Sequence, residues 1–408
     1  MSSLVEPALV ALPPRRWSDL DATAAASGLM GFVFAASGPV AIVLSVGTAG
    51  GLPPETLASW VFGIFFVNGI LTIAMSWAFR QPLAFFWTIP GTVLVGPAFQ
   101  HLSFPEVVGA FYATAFLILA VGASGWVKRA MVWIPMPIVM AMVAGVFLRF
   151  GLDLVRATRA DAALGLPMVA TFLALSAIPR LGRRFPPLLA ALVVGAVAAI
   201  LLGRFDGAAV GALSVVRPIV TVPVFSVHAL LELVVPIAIT VLVVQNGQGF
   251  AVLGAAGHTP PVNAGTVACG IGSLAAAVVG AISSCVTGPT NAILTASGDP
   301  RRHYAAAIVT GALAIVFGLL SPAFTTLMLG APREYIALVA GLAMLKVLQG
   351  AFVAAFSARF TLGALVCFLV TVSDVSLFNI GGAFWGLAIG LAVARLLEGS
   401  DFAAPPKP

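Results

Sequence analysis

The chain has 408 residues, 61% of them hydrophobic and only 8% charged, with a mean hydropathy of +1.11. Soluble domains carry about 25% charged residues, so this composition excludes a soluble globular or disordered protein and specifies an all-α polytopic membrane protein. The net charge of +6 is scattered over many short loops, which sets orientation in a bilayer and argues against binding nucleic acid.

Residues 1–27 contain no apolar run followed by a small-residue cleavage site, so they read as a cytoplasmic tail without a cleaved signal peptide. A spanning helix needs about 20 mostly apolar residues. Fourteen segments are predicted, at residues 28–48, 57–79, 83–99, 104–123, 131–150, 164–178, 188–202, 229–253, 262–280, 282–298, 303–321, 326–348, 356–373 and 381–397, with a Pro-rich cytoplasmic tail at 399–408. With the N-terminus inside, fourteen of the twenty Lys and Arg fall on the cytoplasmic side. Six fall outside: Arg149, Arg156, Arg159, Arg204, Arg217 and Arg333. The stretch from Arg149 to Asp161, with three Arg and two Asp, reads as a structured and partly self-neutralised surface segment.

Spans 3 and 10 are interrupted by Pro and Gly. In FFWTIPGTVLVGPAF, residues 85–99, Thr88, Gly91 and Thr92 surround Pro90. In AISSCVTGPTNAILTASG, residues 281–298, Ser283, Ser284, Thr287, Gly288, Thr290 and Asn291 surround Pro289. At membrane depth a helix breaks only where protein or a watery cavity satisfies its backbone, and paired breaks in matching halves mark a transporter's midplane site. Pro90 and Gly91 match Gly288 and Pro289 at an offset near 198, and Val143-Ala144-Gly145 matches Val339-Ala340-Gly341 at 196. Seven spans per half would make the two halves an inverted repeat.

Helix N-termini bind anions without a buried cation, and neither broken segment holds a basic residue. Span 8 adds three amides, Gln245, Asn246 and Gln248, whose cost in hydrocarbon is relieved by lining a polar cavity. Ser37, Gly38 and Pro39 occupy the corresponding place in span 1. The substrate-binding candidates are therefore Ser37, Thr88, Gly91, Thr92, Gln245, Asn246, Gln248, Ser283, Ser284, Thr287, Gly288 and Asn291, with Phe85, Phe86 or Trp87 available to wall an aromatic ring. The competing explanation is close helix packing and interhelical hydrogen bonding by small polar residues.

Asp153, Glu232, Glu334 and Asp374 lie near span ends and are the proton-coupling candidates, although carboxylates there are commonly solvated or paired. His101, His228, His258 and His303 lie in loops or at span ends, unclustered in sequence, and read first as surface groups and second as proton carriers. Cys269, Cys285 and Cys367 read as apolar fillers with no metal-ligand spacing. No grouping of nucleophile, acid and base indicates an enzyme, and no cofactor or metal is expected.

The motifs IPMPIVMAMVAGVFLRFGLDLV at 134–155, QNGQG at 245–249 and FNIGGAFWGLAIGL at 378–391 resemble the BenE family of benzoate/proton symporters, and the similarity runs over nearly the whole chain. That family is similar in turn to the uracil/xanthine and sulfate permeases. The resemblance implies seven plus seven inverted spans, with a core domain at 28–124 and 229–322 and a gate domain, including a connector, at 125–228 and 323–398. It implies substrate binding between the facing ends of spans 3 and 10, and import of benzoate or a related aromatic carboxylate with protons. The expected location is the bacterial inner membrane with both termini cytoplasmic. The expected partners are a small aromatic anion, protons and lipid, with a homodimer as a candidate assembly. Related nucleobase permeases carry a carboxylate on span 8 where this chain has amides, which removes an obvious proton acceptor. A nucleobase or an inorganic anion is the alternative substrate, because fold does not fix substrate. A channel is disfavoured by two inverted halves in one chain.

Overall fold

The computed structural model describes residues 19–127, 135–178, 187–205, 214–296, 299–357, 359–373, 377 and 382–403. The residue Asp374, most of the N-terminal tail and the end of the C-terminal tail lie outside this set.

The elements in chain order begin with α1 (Ala22–Ala49), broken at Ser37, and α2 (Pro54–Phe79), with a π-helical turn at Gly63–Val67. The strand β1 (Phe85–Trp87) runs into a half-helix, α3 (Ile89–Ala98). Then come α4 (Phe104–Ala123), α5 (Met136–Ala160), α6 (Ala162–Ala177) and α7 (Pro187–Leu201). The long α8 (Val227–Ala255) contains two π-helical turns, Leu230–Val234 and Thr240–Gln245. After α9 (Val262–Val278), β2 (Ser284–Val286) leads into the half-helix α10 (Gly288–Leu294). The remaining long elements are α11 (His303–Leu319), α12 (Arg333–Phe356), α13 (Thr361–Val372) and α14 (Gly382–Leu397). Among the described residues, seven helices are long and apolar enough to cross a membrane, and six more are shorter and apolar. The chain is a predominantly helical membrane protein.

Local chemistry explains several boundaries. Asp21 caps α1 by accepting the Ala24 N–H at 2.8 Å, and Ser103 with Glu106 opens α4. The sequence ends span 5 at residue 150, but α5 continues to Ala160. Its extra turns are polar yet self-neutralised: Asp153 meets Arg156 at 3.0 Å and Arg149 at 3.9 Å, at helical spacings of three and four. Asp161 then caps α6 through the Leu164 N–H at 3.2 Å and pairs with Arg204. The sequence also places span 12 at 326–348. The structure instead forms a short helix, Ser321–Leu329, and begins α12 after Pro332, which cannot continue the preceding helix.

The helices sort by packing. The pair α5 and α12 lie together, with α13 on α5, α14 on α13, and α7 on α6. In a second group α4 packs on α9, and α11 packs on both α1 and α2; the two groups meet where α12 lies against the second half of α1. An extended connector crosses one end of this second group. Its backbone donates from Val216 to Leu319, from Thr221 to Val278 and from Val224 to Pro105, at 2.9–3.1 Å.

At the other end, His258 and His303 meet at 3.1 Å, joining the turn after α8 to the start of α11. Burial and the neighbouring His303 hold the His258 imidazole below its ordinary pKa of 6.5. The fold thus prefers neutral His258, and its contribution to stability is complete above the unfolded pKa of about 6.5 and lost as pH falls below it. The melting temperature in detergent is expected to drop between pH 7.5 and 5.5, with a shallower drop in His258→Gln. Equal slopes in the two proteins would refute this role.

Candidate substrate site

The two broken segments meet. β1 and β2 pair antiparallel, Phe85 opposite Val286, Phe86 opposite Cys285 and Trp87 opposite Ser284. Thr88 N–H to Ser283 O at 3.0 Å and Thr287 N–H to Ala84 O at 3.1 Å extend the ladder at its ends. Each strand ends in a threonine at a helix N-cap, Thr88 or Thr287, followed by proline in the helix's first turn. Proline fits there because its missing N–H has no partner to lose.

A two-stranded ribbon in an apolar core must satisfy its outer edges. Neighbouring helices do this with side chains. Thr72 Oγ1 of α2 accepts the Phe85 N–H at 2.9 Å, and Ser273 Oγ of α9 accepts the Ser284 N–H at 2.9 Å. Asn246 Oδ1 of α8 accepts the Val286 N–H at 2.8 Å. Asn291 of α10 accepts the Ala84 N–H at 2.9 Å and donates to Thr287 O at 2.8 Å. Both asparagines are fully buried.

The sequence-predicted residues therefore divide by what their atoms touch. Thr88 accepts the Gly91 N–H at 3.1 Å and meets Thr240 at 2.9 Å, while Thr92 donates back to Thr88 O at 2.9 Å. Ser37 donates to Phe34 O at 2.9 Å in the break of α1. These hydroxyls and the two asparagine oxygens are engaged with protein. By contrast, four buried polar atoms around the ribbon have no hydrogen-bond partner among the described residues: Ser283 Oγ, Ser284 Oγ, Trp87 Nε1 and Asn246 Nδ2. Gln245 is buried, whereas Gln248 is exposed beside the start of α10. A Cβ on Gly288 would stand 2.5 Å from Gln248 Cγ, so glycine is what lets this amide lie over the α10 terminus. The aromatic residues form their own cluster: Phe65 lies 5.1 Å from Trp87 and 5.8 Å from Phe86 by ring centroids.

A cavity of about 780 Å³ opens elsewhere along α3. Its walls are α1, α3 and α8 on one side and α5, α13 and α14 on the other. That volume suits a small organic ligand. Of the proton-coupling candidates it contains Glu232 and Asp153; none of the binding candidates lines it. The half-helix α3 connects the two features, with its N-terminus at the ribbon and Val93, Leu94, Gly96 and Pro97 on the cavity wall. Glu334 lies in the first turn of α12, half-buried and away from this cavity.

The histidines correct the sequence reading. They are unclustered along the chain, but folding brings His101 Nε2 to 2.8 Å from Glu232 Oε2 and His258 to His303. Thr72, Thr240 and Ser273 were also not identifiable from sequence. Their only signal is a hydroxyl in an apolar helix, which commonly bonds its own preceding turn.

The profile of the benzoate membrane transport protein family matches residues 18–396. The inner membrane protein YdcO of Escherichia coli K12 is 30% identical over 369 residues, 89% of this chain and 93% of that protein. The benzoate membrane transport protein of Acinetobacter baylyi is 28% identical over 387 residues, 93% of this chain and 96% of the relative. Among solved structures, the transmembrane domain of the cyanobacterial bicarbonate transporter BicA is similar at a TM-score of 0.57 and 16% identity, covering 92% of this chain and 98% of that one. The structure of SLC26A9 is similar at a TM-score of 0.64 and 13% identity, covering 96% of this chain and 67% of that one. These last two likenesses concern the fold. With one family profile spanning nearly its whole length, the chain belongs to the BenE family of benzoate membrane transport proteins.

Proposed function

We propose that the protein imports benzoate or a closely related aromatic carboxylate together with protons, across a bacterial inner membrane, by alternating access. The observation that carries this reading is the strand ribbon. It gathers buried donors without hydrogen-bond partners among the described residues, from Ser283, Ser284, Trp87 and Asn246, next to an aromatic cluster. Hydroxyl, indole and amide donors suit a carboxylate, and the neighbouring rings suit an aromatic body. A site without a fixed cation releases its ligand more readily than an ion pair would, which turnover requires.

In this reading the chain has fourteen spans as a seven-plus-seven inverted repeat, with β1–α3 and β2–α10 as spans 3 and 10. The helices α1 to α4 and α8 to α11 form a core that moves against a gate of α5 to α7 and α12 to α14. The packing groups support that division, and the cavity lies along its boundary. With the N-terminus cytoplasmic, as the basic residues favour, the cavity faces outward.

Gln248 touches substrate in this account, so Gln248→Ala is expected to raise the KM for benzoate uptake about tenfold, the loss of about one hydrogen bond to a charged group, without lowering the melting temperature. An unchanged KM would remove Gln248 from the site. The alternative cargo, an inorganic anion, is favoured only by the fold shared with anion transporters. Competition of labelled benzoate uptake by excess sulfate, bicarbonate or uracil separates these cargoes, and none is expected to compete.

A further inference from the structure

We propose that Glu232 and His101 form the proton-carrying pair of this transporter, a proton-binding site in the cavity wall separate from the strand ribbon. This rests on the reading of the protein as an importer of an aromatic anion, and it supplies the acceptor that the amides of span 8 lack.

Among the described residues only two carboxylates are buried, Asp161 and Glu232. Asp161 is committed to Arg204 and to the cap of α6. Glu232 is 6% exposed, lines the cavity and meets the His101 imidazole at 2.8 Å. It sits in the first π-helical turn of α8, a local widening that recurs at functional positions. His101 lies in the short loop between α3 and α4, with its side chain 32% exposed, so the pair joins a buried acid to a base that water can reach. Both belong to the core.

The surroundings bear on how this pair titrates. Among elements packed on the Glu232 turn, α4 carries Glu106 and Tyr112, the opening turn of α8 carries His228, and α3 carries no titratable group. Glu106 is occupied by the Ser103 N–H and hydroxyl. Across the cavity, α5 presents Arg149, Asp153 and Arg156. Two arginines and one aspartate make that wall net positive.

The charge balance is simple. Carboxylate plus neutral imidazole carries one negative charge; binding one proton between Glu232 Oε2 and His101 Nε2 brings it to zero. A benzoate anion then returns the core to one negative charge. Loaded and empty cores carry equal charge, whereas a core with substrate alone carries two negative charges and one with a proton alone carries none. Only the equal-charge states cross the same electrostatic landscape, which couples one proton to one anion and makes transport electroneutral.

The test uses the full chain in proteoliposomes with labelled benzoate. Glu232→Gln is expected to lose at least tenfold in accumulation driven by an inward pH gradient, while benzoate exchange at equal pH on both sides stays within about twofold of wild type. His101→Gln should shift the acid limb of the uptake profile, and Glu55→Gln, exposed at the start of α2, should leave both assays unchanged. A membrane potential imposed with potassium and valinomycin at equal pH should drive no wild-type accumulation. Normal gradient-driven accumulation in Glu232→Gln overturns the assignment, as does loss of exchange in folded Glu232→Gln or wild-type uptake driven by potential alone. Wild-type protein that neither exchanges nor accumulates benzoate would instead overturn the aromatic-anion reading, so the two failures are distinguishable.

Discussion

Replacing Asn291 with alanine is expected to unfold the centre of the protein rather than merely weaken its substrate site. The sequence suggests a ligand-facing amide, but the structure engages both ends of this side chain with backbone, at Ala84 N–H and Thr287 O. Truncation leaves the Ala84 N–H buried and unpaired and removes the brace between β1 and α10. Each unsatisfied buried group costs about 1–3 kcal/mol, so a loss of about 2–4 kcal/mol is expected, a large share of the 5–15 kcal/mol that typically separates folded from unfolded domains. Thermal unfolding in detergent should show a clearly lowered midpoint together with lost uptake. An unchanged midpoint with lost uptake would return Asn291 to the ligand side.

The second large effect is expected at Gly288. An alanine Cβ there would lie 2.5 Å from Gln248 Cγ and 2.7 Å from its Cδ, too close for any real contact. The nearest atoms belong to a side chain rather than to backbone, so the structure responds by expelling the Gln248 amide from the α10 terminus. Gly288→Ala is thus expected to fold with a melting temperature near that of wild type and to raise the KM at least tenfold. The coupling is diagnostic: on a Gln248→Ala background the clash is gone, and Gly288→Ala should add little. Additive losses in the double variant would mean that the methyl group acts on something other than Gln248.

Much of the architecture is legible in the sequence because lipid imposes a simple rule. Apolar runs of sufficient length become helices, and Pro with Gly and Thr at 88–91 and 287–289 interrupts two of them. Boundaries fail where charge is neutralised locally, as at Arg149, Asp153 and Arg156 on α5, or where Pro332 divides an apolar run. Side-chain roles fail for a different reason. The strand groups that Asn246 and Asn291 accept from lie 40 and 207 residues away, and Glu232 lies 131 residues from His101. An amide that faces a ligand and one that braces a strand look the same in sequence; only the fold shows that Asn291 is engaged while Gln248 lies open.

The physical requirement on the ribbon explains why so many polar residues surround it. Strands offer hydrogen-bonding edges that helices do not, and in hydrocarbon each edge group needs a partner. Thr72, Ser273, Asn246 and Asn291 supply four of these, one from each of four helices, and so fix where the two half-helices begin. The side chains left without partners among the described residues, Ser283, Ser284, Trp87 and one end of Asn246, are then held in place by a rigid frame.

Proton-driven import of an aromatic carboxylate is decided by uptake of radiolabelled benzoate into proteoliposomes with an imposed inward pH gradient, with and without a protonophore. Saturable accumulation that collapses when the protonophore is added is the expected result. Correctly folded protein that gives no accumulation above protein-free vesicles, or accumulation indifferent to the protonophore, would contradict it.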